Sequence, residues 1–134
     1  LGNGLPIGCA LFGEKTANTL GKGDHGSTFG ANPVACAGAL EVLKQIDAKL
    51  LEEVKEKEKI IKDALKVCRK VKKITGLGLM MGIECDNAGV LIEECLNKGL
   101  VVLAAKEKIR LLPALNISYE ELNKGLKILT EVLK

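Results

Sequence analysis

VKKITGLGLMMGIEC, residues 71–85, decides how the chain folds. Apolar and β-branched residues lead to Thr75, give way at Gly76 and Gly78, and resume from Leu79 to Ile83. A strand broken by two close glycines and then resumed predicts a hairpin or a bent strand pair, since glycine supplies the positive φ that a tight reversal needs. On its N-terminal side, from about Leu51 to Lys70, an apolar stripe of Leu51, Val54, Ile61, Leu65 and Cys68 predicts an amphipathic helix. Glu53 with Lys57 and Glu58 with Lys62 are four apart in the favourable order, each pair contributing roughly 0.3 kcal/mol. The cations that follow, Lys66, Arg69, Lys70, Lys72 and Lys73, could form a binding patch, but complementing the dipole of a helix C-terminus is the favoured reading.

On its C-terminal side, Ala88 to Lys98 is expected to be helical, capped by Asp86 or Asn87 and ended by Gly99. LVVLAA and KIRLLPAL predict two short strands around Lys106 to Lys108. A capping box, Ser118 to Glu121, opens a last helix with Leu122, Leu126, Leu129 and Leu133 on one side. The class that results is α/β or α+β, a small sheet covered by helices.

The first third of the chain reads differently. LPIGCALF, Leu5 to Phe12, is expected to be a buried strand, and Thr16 to Leu20 a brief helix. Gly21 to Ala31 is rich in glycine, with Asp24, His25, Ser27 and Thr28, and is expected to be an irregular loop. Asn32 can cap and Pro33 can start the helix VACAGALEVLKQI, whose small and apolar residues on most faces predict a largely buried element.

Composition excludes several classes of function. The chain has 134 residues, 47% hydrophobic and 28% charged, which rules out a disordered segment and limits it to one or two domains. A formal charge of +3 and only Phe12, Phe29 and Tyr119 as aromatics provide no nucleic-acid footprint. Five cysteines without close pairing, Cys9, Cys36, Cys68, Cys85 and Cys95, favour a reducing cytosol. With His25 the single histidine and no paired cysteines, no metal site is expected. No apolar run suits a membrane span or a signal peptide, so a soluble cytoplasmic protein is expected.

Three glycine-rich stretches lie close to nucleotide- or anion-binding patterns. Gly76, Gly78 and Gly82 miss the dinucleotide fingerprint, whose third glycine would fall at Met81. GCALFGEKT, Gly8 to Thr16, fails as a P-loop because Glu14 stands between Gly13 and Lys15, where phosphate oxygens would sit. Gly26-Ser27-Thr28 survives: adjacent hydroxyls and backbone N–H groups close to a helix N-terminus make a sensible phosphate or carboxylate site. Turn formation and helix capping account for Ser and Thr in such positions more often than ligands do.

LGNGLPIGCALF from Leu1, GDHGSTFGANPVACAGALEVL from Gly23, GLGLMMGIE from Gly76, KGLVVLAA from Lys98 and IRLLPALNIS from Ile109, in that order, resemble the class III, fold-type I pyridoxal-phosphate (PLP) aminotransferases. Among these the acetylornithine branch of arginine biosynthesis is the most similar. The resemblance runs from end to end and implies that residues 1–47 are a remnant of the PLP-binding large domain with the interdomain helix. Residues 48–134 would be the small C-terminal domain.

It further implies a homodimeric enzyme that transfers the terminal amino group of acetylornithine to 2-oxoglutarate. Thr28 would hydrogen-bond the PLP phosphate of the neighbouring subunit, Ser27 would contact acetylornithine, and Arg110 would lie at the substrate end of the small domain. For Arg110 a plain surface charge on a strand is an equal alternative. The family's Schiff-base lysine would fall just before Leu1, so the chain by itself is expected to be inactive. Family members often carry arginine where Thr75 stands, which removes any role carried over to that position, and His25 is expected to shape the loop. Ornithine and 4-aminobutyrate aminotransferases share the scaffold, and a noncatalytic α/β interaction domain is the alternative from another class.

Overall fold

Gly76 and Gly78 do reverse the chain. In a computed structural model describing all residues, 1–134, they adopt φ of +121° and +58° between β1 (Lys73–Leu77) and β2 (Met80–Glu84). The strands pair antiparallel with Lys73 opposite Glu84 and Leu77 opposite Met80. The other predicted strands, β3 (Leu103–Ala105) and β4 (Lys108–Leu111), form a second hairpin that inserts β4 beside β2. The result is one antiparallel sheet in the order β1-β2-β4-β3.

The chain divides into two units, Leu1–Asp47 and Ala48–Lys134, each described by itself. In the second, α2 (Ala48–Lys66), α3 (Ala88–Asn97) and α4 (Tyr119–Leu133) join the sheet in one core. Side chains alternate across a strand, so Met81, Ile83 and Ile109 point inward and meet Ile61 and Leu65 of α2, Cys95 of α3 and Leu129 and Leu133 of α4. Each fully buried aliphatic side chain contributes about 1.5–3 kcal/mol over leaving it in water. The opposite face, with Lys73, Thr75, Met80, Gly82, Glu84, Lys108 and Arg110, stays wholly or partly exposed within this unit.

The helix ends follow local chemistry, with differences from expectation. α4 has both halves of its capping box: Glu121 N–H donates to Ser118 Oγ at 3.1 Å and Ser118 N–H to Glu121 Oε2 at 3.3 Å. α3 starts at Asn87, but that residue is left-handed at φ +53° and its side chain makes no capping bond, while Asp86 pairs with Lys72 instead. α2 ends at Lys66, earlier than predicted, because Cys68 and Val71 turn the chain through N–H bonds to Leu65 and Cys68 carbonyls. Among the cations, Lys70, beyond the end of α2, serves α4 instead, donating to the Val132 carbonyl at 2.7 Å.

The first unit departs further. Leu5 to Phe12 is not a strand, and Leu11 is 94% exposed. Its one ladder contact is the Gly2–Leu5 bridge; without a neighbouring strand, extended backbone has no partner to hold it. Thr16 to Leu20 makes turns, not a helix, with Thr16 N–H bonded to Gly13 O and Thr19 N–H to Thr16 O. So short a segment between Gly13 and Gly21 does not repay helix nucleation. α1 (Pro33–Gln45) forms as predicted but buries only Ala35 and Ala39, leaving Val34, Leu40 and Leu43 exposed, so it is not largely buried within its unit.

Candidate functional site

Residues 21–31 form the irregular loop that the sequence predicts. Asp24 ties its beginning, its Oδ2 accepting the Gly21 N–H at 2.6 Å while its own N–H donates to the Gly21 carbonyl at 3.3 Å. A second turn closes between Ser27 and Gly30, whose N–H donates to the Ser27 carbonyl at 3.4 Å. Gly30 has a packing reason: a Cβ there would stand 3.0 Å from Ser27 Cβ. Ala31 then takes φ +54°, and Asn32 opens α1.

That opening removes one component of the expected anion site. Asn32 Oδ1 accepts the N–H groups of Val34 at 3.0 Å and Ala35 at 3.2 Å, its carbonyl accepts Cys36 N–H at 2.9 Å, and Pro33 has none to donate. The first turn of α1 is therefore satisfied from within and has no free donor for an anion. What remains is the loop itself. The Thr28 hydroxyl and the N–H groups of Gly26, Ser27, Thr28 and Phe29 have no partner in the chain, and the position a Gly26 Cβ would take is open space. A set of donors with no carboxylate bonded among them fits a phosphate ester, so these residues suit the PLP phosphate chemically.

Ser27 and Thr28 diverge despite adjacency. An open cleft of about 690 Å³ is lined by Pro6 and Ile7 on one side, Val34 and Ala35 on another, and His25, Ser27 and Phe29 of the loop. Thr28 is not part of that lining. His25 makes no hydrogen bond and faces the cleft rather than bracing the loop.

Arg110 belongs to the second unit. The register sets Thr75, Gly82, Arg110 and Leu103 in one row across β1, β2, β4 and β3, on the face opposite the core. Thr75 Oγ1 donates to the Gly82 carbonyl at 3.3 Å, and a Cβ on Gly82 would stand 3.1 Å from that same Oγ1. Arg110 is half-buried and its Nε is buried with no acceptor. A buried donor left unpaired costs about 1–3 kcal/mol, which an arriving carboxylate would recover.

Two side chains of α2 make contacts that their i,i+4 pairing does not foretell. Lys57 is buried on the apolar side of α2, and Glu58 Oε2 accepts the Gly78 N–H at 2.9 Å. A hint of the first exists: the stripe skips from Val54 to Ile61, and Lys57 occupies the missing step. Nothing in the sequence announces the second, because it depends on which turn comes to rest against the helix.

Against known proteins, the family model described as aminotransferase class-III matches residues 1–133. The acetylornithine aminotransferase of Haemophilus ducreyi is 48% identical over 136 residues, which cover 99% of this chain and 35% of that protein. Among solved structures, N-acetylornithine aminotransferase from Stenotrophomonas maltophilia aligns with a TM-score of 0.69 at 28% identity, over 77% of this chain and 31% of that one. The ornithine aminotransferase of Toxoplasma gondii aligns with a TM-score of 0.76 at 27% identity, over 84% and 29%. The chain thus spans about a third of the length of the relatives it matches. A match that runs from the glycine-rich opening through the loop and the Arg110 strand to the last helix leaves one assignment: this chain belongs to the class III aminotransferase family.

Proposed function

We propose that the chain is the C-terminal part of a PLP-dependent aminotransferase that moves the terminal amino group of N-acetylornithine to 2-oxoglutarate in arginine biosynthesis. The observation that carries this reading is the 48% identity with an acetylornithine aminotransferase across 99% of the chain. In it, residues 1–47 belong to the cofactor-binding large domain and 48–134 are the small domain. The enzyme works in the cytoplasm as a homodimer. No helix is long and apolar enough to cross a membrane.

Bound PLP supplies the electron sink for amino transfer. The chain's own residues bind and orient. The Thr28 hydroxyl donates to the phosphate of the cofactor held by the neighbouring subunit, a role open to it because it has no partner here. Ser27, on the cleft, contacts acetylornithine. Arg110 pairs with a substrate carboxylate, supported by its unsatisfied Nε.

Ornithine as amino donor is the second reading, favoured by the TM-score of 0.76 with an ornithine aminotransferase. Steady-state kinetics on the product of the complete reading frame, with acetylornithine, ornithine and 4-aminobutyrate as donors, separates them. The first reading requires acetylornithine to have the highest kcat/KM; no turnover of any of the three would overturn both. In the same protein, Thr28→Val is expected to weaken PLP retention about tenfold, the worth of one hydrogen bond to a charged group. Unchanged retention removes Thr28 from the phosphate site.

A further inference from the structure

Lys57 and Glu58 are neighbours on α2, one holding the segment that leaves the Arg110 strand and the other the turn that enters the strand beside it. Lys57 is 1% exposed; its ammonium donates to Glu53 Oε2 and to the Leu115 carbonyl, each at 3.4 Å, and lies 5.0 Å from the centre of the Tyr119 ring. Leu115 sits in the segment joining β4, which ends at Leu111, to α4, which starts at Tyr119. Glu58 pairs with Lys62 and accepts the N–H of Gly78, the turn between β1 and β2. β2 lies directly against β4, with Gly82 opposite Arg110.

Packing alone does not account for these two residues. Lys57 occupies a step of the apolar stripe between Val54 and Ile61, where a leucine or methionine would serve the core without desolvating a charge. What the charged pair adds is geometry. β4 has four residues and β3 beyond it three, so few ladder bonds fix Arg110, and anchors on the neighbouring turn and on the exit from its strand matter correspondingly more. A docked turn fixes β2; a held carbonyl fixes the exit from β4.

We propose that Lys57 and Glu58 are positioning residues: they brace the β1–β2 turn and the β4–α4 segment, and so set where Arg110 presents its guanidinium to a substrate carboxylate. This rests on the reading of Arg110 given under the proposed function. Displacement of a binding group by a fraction of its reach weakens substrate binding roughly tenfold or more without altering the reacting groups.

The test uses the full-length enzyme and the two separate KM values of its two substrates. Arg110→Gln identifies which KM depends on the guanidinium. Lys57→Met and Glu58→Ala are each expected to raise that same KM about tenfold with kcat within about twofold. Lys57→Arg and Glu58→Gln, which keep a donor and an acceptor in place, are expected to restore it. Hydrogen exchange should quicken at Gly78 in Glu58→Ala and across residues 112–118 in Lys57→Met. Exchange that quickens while both KM values stay at the wild-type level overturns the positioning role, and so does an equal loss for both substrates. If Arg110→Gln moves neither KM, the reading of Arg110 itself fails, which is a separate result. Should Lys57→Met not fold, the Glu58 pair decides alone.

Discussion

Tyr119 is the single tyrosine, and the chain has no tryptophan, so its ionisation can be followed directly by ultraviolet absorbance. Its hydroxyl donates to Glu56 Oε2 at 2.6 Å, and that bond, with some desolvation and the charges of Glu56 and Glu53, pushes its pKa up to about 12. A raised value means the fold favours the protonated phenol. The stability this contributes is complete below the ordinary value of 10.0 and is lost as pH climbs toward about 12. Glu56→Gln is expected to bring the midpoint back toward the ordinary value; an unmoved midpoint would deny the bond. Cysteines give a second residue-scale measurement. Burial pushes the thiols of Cys68, Cys85 and Cys95 up, whereas Cys9 is exposed and Cys36 half-buried. A thiol reagent at neutral pH should therefore label Cys9 quickly, Cys36 more slowly, and the other three only after denaturant is added. At this scale the sequence was uneven as a guide. Asn32, Ser118 and Glu121 cap where their spacing says, because a cap is local chemistry, but Lys57 and Glu58 find partners distant in the chain that no spacing rule reveals.

Among the elements, the β1–β2 hairpin is the most tightly specified. A Cβ on Gly76 would come within 2.1 Å of the Met80 carbonyl oxygen at a φ of +121°, so Gly76→Ala is expected to destabilise the fold by about 3 kcal/mol or more. Gly89→Ala is the counterpart: it lies in α3 with open space around the added methyl, and is expected to stabilise by about 0.5–1 kcal/mol. Denaturant midpoints on both variants check the opposite signs. The hairpins, α3 and α4 were readable because glycine punctuation and apolar period agreed with the tertiary contacts they make. Leu5 to Phe12 was misread because its apolar run resembles a buried strand, yet a strand exists only where another strand accepts its hydrogen bonds. α1 was legible as a helix and illegible as to burial, since its small and apolar residues find cover within its unit only at Ala35 and Ala39.

For the whole molecule, the contrast between the units decides behaviour. The second has a continuous core from Val54 to Leu133, while in the first the buried side chains are those of two alanines, and Phe29 is 85% exposed. Hydrogen exchange on the chain by itself should find strong protection in β2, β4 and α4 and rapid exchange from Leu1 to Ala31, with α1 intermediate. Uniform protection across both units would contradict this. The fold class and the family follow from stretches spread along the entire chain, whereas the site does not: Arg110 is a lone arginine in a strand until the register reveals Gly82 beside it and an unsatisfied Nε. The outer face of the sheet is only partly covered within its unit, and Arg110 is half-buried there. A charge met at its exposed side is screened by solvent: at 4 Å the pull between guanidinium and carboxylate is about 1 kcal/mol in bulk water, against about 4 kcal/mol once solvent is partly expelled. Grip on an acidic ligand is accordingly feeble in the solitary polypeptide and grows only with whatever roofs that face.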